Sequence, residues 1–239
     1  MLSHSLTLTL PHQAVNTMLS REIKEQLLTS FYQARDEGRA PQMEAYMRNQ
    51  FRFLGIPSPQ RKLLQKDFIR LSKADKSIDW DFVLELWDLP EREFQIFATD
   101  YLRALQKYLT LEDLPKLRQL VIIKSWWDTV DSLDKTIGNI GFPSPDLDQI
   151  MLAWSTDDNF WLRRVAIDHQ LLRKEKTKTD LLEKILLNNL HQTEFFINKA
   201  MGWSLRDYSK TNPDWVRDFI ARNRAGLSNL TIREASKYI

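Results

Sequence analysis

The chain has 239 residues, 43% hydrophobic and 28% charged, enough to bury a full-sized core in one or two domains. Its formal net charge of +2 means that a polyanionic partner must be met by local clusters of cations, not by bulk basicity. The absence of cysteine excludes disulfides and thiolate metal ligands and suggests a reducing cytoplasm, and the four histidines show no metal-ligand spacing.

In chain order, "MLSHSLTLTLPHQAVNT" (1–17) carries no charge and no continuous apolar run, so it lacks the marks of a signal peptide. It is expected to be a frayed or non-native leader, with a single repeat domain following over 18–239. No stretch approaches the roughly 20 apolar residues that span a bilayer. From Met18 onward, beginning with the amphipathic "LSREIKEQLLTSFYQAR", apolar residues recur at helical spacing, and no strand pattern competes. The stops are Gly38 with Pro41, "GIPSP" at 55–59, Pro90, Pro115, "GFPSP" at 141–145 and "TNP" at 211–213. Between them the spacing predicts helices over 91–108, 116–139, 158–174, 179–190 and 193–210. Thr211 or Asn212 is placed to cap a further helix opening at Pro213. Neighbouring blocks pair into units of about 40 residues, the size of HEAT-type hairpins. The expected fold is therefore all-α, a curved α-α superhelix of HEAT-like repeats; the alternative is a compact helical bundle.

Three helices carry residues that packing alone does not explain. In "IIKSWWDTVDSL" (122–133), a continuous helix aligns Ile122, Ile123, Trp126, Val130, Leu133 and Ile137 as one core stripe. Trp127 then falls at the edge of the stripe with Asp131 one turn beyond it, flanked by Lys124 and Lys135. The plain structural reading pairs Asp131 with Lys135. In "DNFWLRRVAIDHQLL" (158–172), Arg164 stands among Phe160, Trp161, Ile167, Leu171 and Leu172, while Arg163 turns toward Gln170. An arginine in such surroundings needs a partner. Either it forms a structural pair with Asp168, or it lines a cleft and grips an anion. In "EFFINKAMGWSLRDYSK" (194–210), Ile197, Met201, Leu205 and Tyr208 form the core stripe. Trp203 faces the other way among Phe196, Lys199, Arg206 and Lys210, which suits either a phosphate backbone or a protein partner.

These segments, with "YMRNQFRFLGIPSPQRK" (46–62), "WLRRVAI" (161–167) and "FFINKAMGWSLRDYSKTNPDWVRDFI" (195–220), resemble the AlkD-like DNA alkylation repair proteins, which are HEAT-like DNA glycosylases. The resemblance spans nearly the whole chain after the leader. It implies a catalytic pair at Trp127 and Asp131, a cleft arginine at Arg164, and DNA-facing aromatics at Trp203 and Tyr46. It also implies double-stranded DNA containing alkylated purines as the partner, no cofactor or metal, and a monomer at work in the cytoplasm. The bases released by that family are cationic N3- or N7-alkylated purines. Because such a base departs neutral, one carboxylate facing the developing sugar cation suffices. On this reading Lys199, Arg206 and Lys210, with Lys124, Arg163 and Arg164, hold the phosphates. A HEAT-like module that binds DNA without cutting, or a protein-interaction scaffold, is the competing expectation.

Overall fold

The computed structural model describes residues 18–239, so the expected leader lies outside the described residues. The chain is all-α: the described residues hold thirteen α-helices and five short 3-10 helices joined by turns, with one isolated β-bridge between Arg52 and Glu91. None of these helices is long and apolar enough to cross a membrane. The span expected as a single domain divides into two compact units, one ending at Tyr108 and one running Leu109–Ile239.

The first unit contains α1 (Arg21–Gln33), α2 (Ala40–Tyr46), α3 (Ser58–Ser72), α4 (Trp80–Asp88) and α5 (Arg92–Ala104). Side chains of Ser20 and Asp79 cap α1 and α4 by accepting from Ile23 N and Phe82 N. Phe31, Phe68, Phe82, Phe94 and Phe97 fill its core, with Phe68 and Phe82 centroids 5.2 Å apart. Buried Glu93 ties the "GIPSP" turn to α5 by accepting from the backbone N–H groups of Leu54, Gly55 and Ile56 at 3.0, 2.9 and 3.1 Å. Gly55 has φ +88°, and a Cβ there would lie 2.1 Å from the Asp36 carbonyl.

The second unit contains α6 (Leu114–Ile122), α7 (Trp127–Gly138), α8 (Pro145–Trp154), α9 (Phe160–Asp168), α10 (Thr179–Leu187), α11 (Phe195–Ser209), α12 (Pro213–Asn223) and α13 (Asn229–Ala235). Its helices pair as HEAT-like hairpins, and α7, α9, α11 and α13 pack side by side in one row. Small residues let that row close up: a Cβ on Gly138 would meet the His169 carbonyl at 2.1 Å, and one on Gly202 would meet the Glu234 Cβ at 2.6 Å. Asn212 caps α12 at Trp215 N with Pro213 in the first turn, as expected.

Four helices differ from the sequence reading. That expected over 91–108 stops at Ala104, with a separate 3-10 turn over Gln106–Tyr108. The helix expected over 116–139 breaks into α6 and α7, because Lys124 adopts φ +53° and Trp126 is extended. Ser125 Oγ donates to the Val121 carbonyl at 2.6 Å across this break. The six-residue stripe therefore holds only from Val130 onward; Ile123 is exposed and Trp126 half-buried. The helix expected over 158–174 stops at Asp168, ahead of positive φ values at Leu172 and Lys174. That expected over 179–190 stops at Leu187.

Candidate active site

The row α7–α9–α11 brings together side chains far apart in sequence. Arg164 on α9 is 1% exposed and crosses to α7, where Nε donates to Asp131 Oδ1 at 2.7 Å and Nη2 to Oδ2 at 2.8 Å. Its remaining terminal nitrogen, Nη1, donates to the Phe196 carbonyl on α11 at 2.6 Å. This is a two-point guanidinium–carboxylate fork with its third arm tied down. The Asp131 side chain keeps 20% of its surface exposed, whereas that of Arg164 keeps 1%. Although burial opposes the charge on Arg164, its bonds to Asp131 and the neighbouring carboxylates raise its pKa above the ordinary arginine value.

Trp203 covers this fork. The Arg164 guanidinium lies 5.0 Å from its ring centroid and Lys199 Nζ lies 5.8 Å away. The indole is half-buried, not the exposed surface ring expected from sequence. Trp127 opens α7 with its fifth residue, Asp131, one turn beyond, and both are half-buried. Trp126 packs instead on Phe196 and Trp161, with centroids at 5.3 and 6.0 Å. Beside the fork, a pocket of about 220 Å³ is lined by Lys135, Leu171, Leu172, Trp203, Arg206 and Lys210, among others.

Several expectations need correction. Arg164 neither pairs with Asp168 nor is open to a phosphate; every terminal nitrogen already donates to protein, and the group is sealed from solvent. Lys135 does not pair with the Asp131 carboxylate. Its Nζ donates to the Asp131 backbone carbonyl and to Asp134 Oδ1, both at 2.8 Å. Lys199 and Arg206 are committed to buried Glu234 on α13, at 2.9 and 3.0 Å, and Lys237 joins them at 3.0 Å. These bonds, with Lys199 foremost, hold the Glu234 carboxyl down at about 2. Lys210 is exposed, and its Nζ lies 5.0 Å from the Tyr238 ring. Lys124 sits in the left-handed turn before α7 and Arg163 is half-buried on α9. Tyr46 ends α2 in the first unit, 71% exposed.

Sequence reasoning missed Asp134 and Glu234. Asp134 follows Asp131 at i+3, so the two carboxylates share a face, which is a signal the sequence carries. Oxygens of Asp131, Asp134 and Asp168 lie within 4.8 Å of one another, a grouping that could hold a metal ion. Arg164 and Lys135, however, already bond the first two. Burial raises Asp134 to about 7 and pushes Asp168 well above the usual carboxylate range.

A comparison with curated proteins finds no match. Among solved structures, one described as a predicted DNA alkylation repair enzyme from Enterococcus faecalis is 37% identical. It aligns with 86% of this chain and 96% of its own, at a TM-score of 0.79. The family model described as DNA alkylation repair enzyme matches residues 27–239, a span that takes in every helix of the site row. This chain belongs to the DNA alkylation repair enzyme family.

Proposed function

We propose that this chain is a monofunctional DNA glycosylase that hydrolyses the N-glycosidic bond of cationic N3- and N7-alkylated purines, such as 3-methyladenine and 7-methylguanine, in duplex DNA. The observation that carries this reading is the Asp131 carboxylate, gripped on both oxygens by a sealed arginine on a side chain still 20% exposed, with Trp203 over that arginine and Trp127 one turn back on α7. A group held so firmly needs no reorganisation when positive charge builds on the deoxyribose as the bond breaks. Asp131 stabilises that cation and positions the attacking water. The purine leaves neutral because alkylation has already charged it, so no general acid enters. Arg164 acts through Asp131 by fixing its position, and not as a phosphate clamp. The faces of Trp127 and Trp203 lie toward the cationic nucleotide, with an attraction of about 0.5–2 kcal/mol each. Lys210 and other surface cations, with Tyr46, meet the DNA backbone.

The test uses duplex DNA treated with a methylating agent and follows free 3-methyladenine and 7-methylguanine by chromatography. Asp131→Asn should lower release by about 100-fold or more and leave DNA affinity unchanged or higher, since it removes a negative charge facing a polyanion. Release that survives this change intact sinks the mechanism. If the unaltered protein binds methylated DNA and releases nothing, the non-catalytic binding module is the correct reading.

A further inference from the structure

Asp168 sits one turn beyond Arg164 on the same helix, the ordinary spacing for an intrahelical ion pair. It is 0% exposed, and neither of its carboxylate oxygens has a hydrogen-bond partner. Arg164 ignores it and crosses to α7. A bare buried anion beside an arginine that declines to bind it is physically untenable. A neutral carboxylic acid in the same place is not.

The charges acting on Asp168 are Arg164 on its own helix and Asp131, Asp134 and Lys135 on α7, while α11 turns the Phe196 carbonyl toward Arg164. Written with every group ionised, the cluster holds three anions against two cations. With Asp168 neutral, the rest pair one to one: Asp131 with Arg164, and Asp134 with Lys135. We propose that Asp168 is a positioning residue held as a neutral carboxylic acid, and that its lack of charge is what leaves Arg164 free to grip Asp131. Ionised, Asp168 would compete for the guanidinium from its own helix and loosen the fork. Burial drives the shift in the same direction. The positioning role rests on the reading of Asp131 given above; the protonation itself does not.

Infrared difference spectroscopy of the full chain, unaltered minus Asp168→Asn, reads the proton directly. A neutral carboxylic acid band, shifted in heavy water, should be present in the unaltered protein at pH about 7 and above and lost in the variant. Its absence overturns the proposal. Should the variant not fold, titration of the band in the unaltered protein decides the same question. Asparagine is neutral and similar in shape, so the Arg164 Nε–H resonance should keep its Asp131-bonded shift. Release of 7-methylguanine by the unaltered chain should fall as rising pH removes the band, and Asp168→Asn should lack that fall; identical pH profiles in the two proteins would overturn the positioning role. A loss as large as that of Asp131→Asn would show that a charge is required at this position, against the proposal. If neither protein releases base but the band is present, the glycosylase reading fails and the neutral acid stands.

Discussion

Arg164 passes over Asp168, its neighbour one helical turn away, and closes a two-point fork on Asp131, 33 residues distant in sequence. The guanidinium is thus spent on orienting one carboxylate, and removing either partner strands the other.

That dependence is measurable as a double-mutant cycle. Arg164→Met should destabilise the protein by about 3–5 kcal/mol, because it leaves Asp131 facing a dry arginine site without its partner. Combining it with Asp131→Asn should recover part of the loss, giving a coupling of about 1–3 kcal/mol in chemical denaturation. Arg164→Lys should not rescue base release, since an ammonium cannot reproduce the fork. Additive effects in the cycle would mean that the pair does not act as a unit.

Two buried carboxyls predict opposite pH dependences. Glu234 is held down at about 2 by Lys199 and Lys237, so its contribution is present above its ordinary range and lost as pH falls through about 2. Glu234→Gln should therefore be less stable than the unaltered chain at neutral pH, with the gap closing in acid. Asp134 is raised to about 7 by burial, so its contribution is present in acid and lost as pH rises through about 7. Asp134→Asn should flatten that decline, whose slope reaches at most about 1.4 kcal/mol per pH unit. Denaturation midpoints across the pH range for both variants check the signs.

The cations near Trp203 should separate into two kinds. Lys210 is exposed and lies against Tyr238, not a carboxylate, so Lys210→Gln should lower the slope of log affinity for DNA against log salt by about 0.9 and leave the melting temperature unchanged. Lys199→Gln should lower the melting temperature, because it strips a partner from Glu234. Salt titrations of binding alongside thermal melts distinguish them.

Helix contacts within the site row should respond to a single methyl group. Gly202→Ala places a Cβ 2.6 Å from the Glu234 Cβ, and Gly138→Ala places one 2.1 Å from the His169 backbone carbonyl. Alanine's better helix propensity, about 1 kcal/mol, opposes the clash in both. The expected net loss is about 1–3 kcal/mol for Gly202→Ala and more for Gly138→Ala, because neither obstacle can rotate away and the one at Gly138 is the closer. Equal effects in denaturation would contradict this ordering.

What the sequence made legible follows from the range of each interaction. Helical periodicity and the stops at proline and glycine gave the all-α class, and the stripe Ile197, Met201, Leu205 and Tyr208 is buried as expected. The i,i+4 step from Trp127 to Asp131 holds because both lie within α7. The misreadings concern partners on other helices. No wheel drawn on α9 points Arg164 at Asp131 in place of Asp168, and no wheel drawn on α11 shows that Glu234 awaits Lys199 and Arg206. The break at Lys124 was hidden for a different reason: lysine has no preference for left-handed backbone, so the turn is imposed by its surroundings and not announced by its residue type.

That turn sets the rotational phase of α7. Because the link between Ile122 and Trp127 is not helical, losing one of its residues would shorten its reach by about 3.3–3.6 Å, more than the 2.7 and 2.8 Å bonds from Arg164 to Asp131 can absorb. The length of the link is therefore as much a part of the site as its charges, and a deletion there would pull Asp131 away from Arg164 with every side chain of the fork still in the sequence.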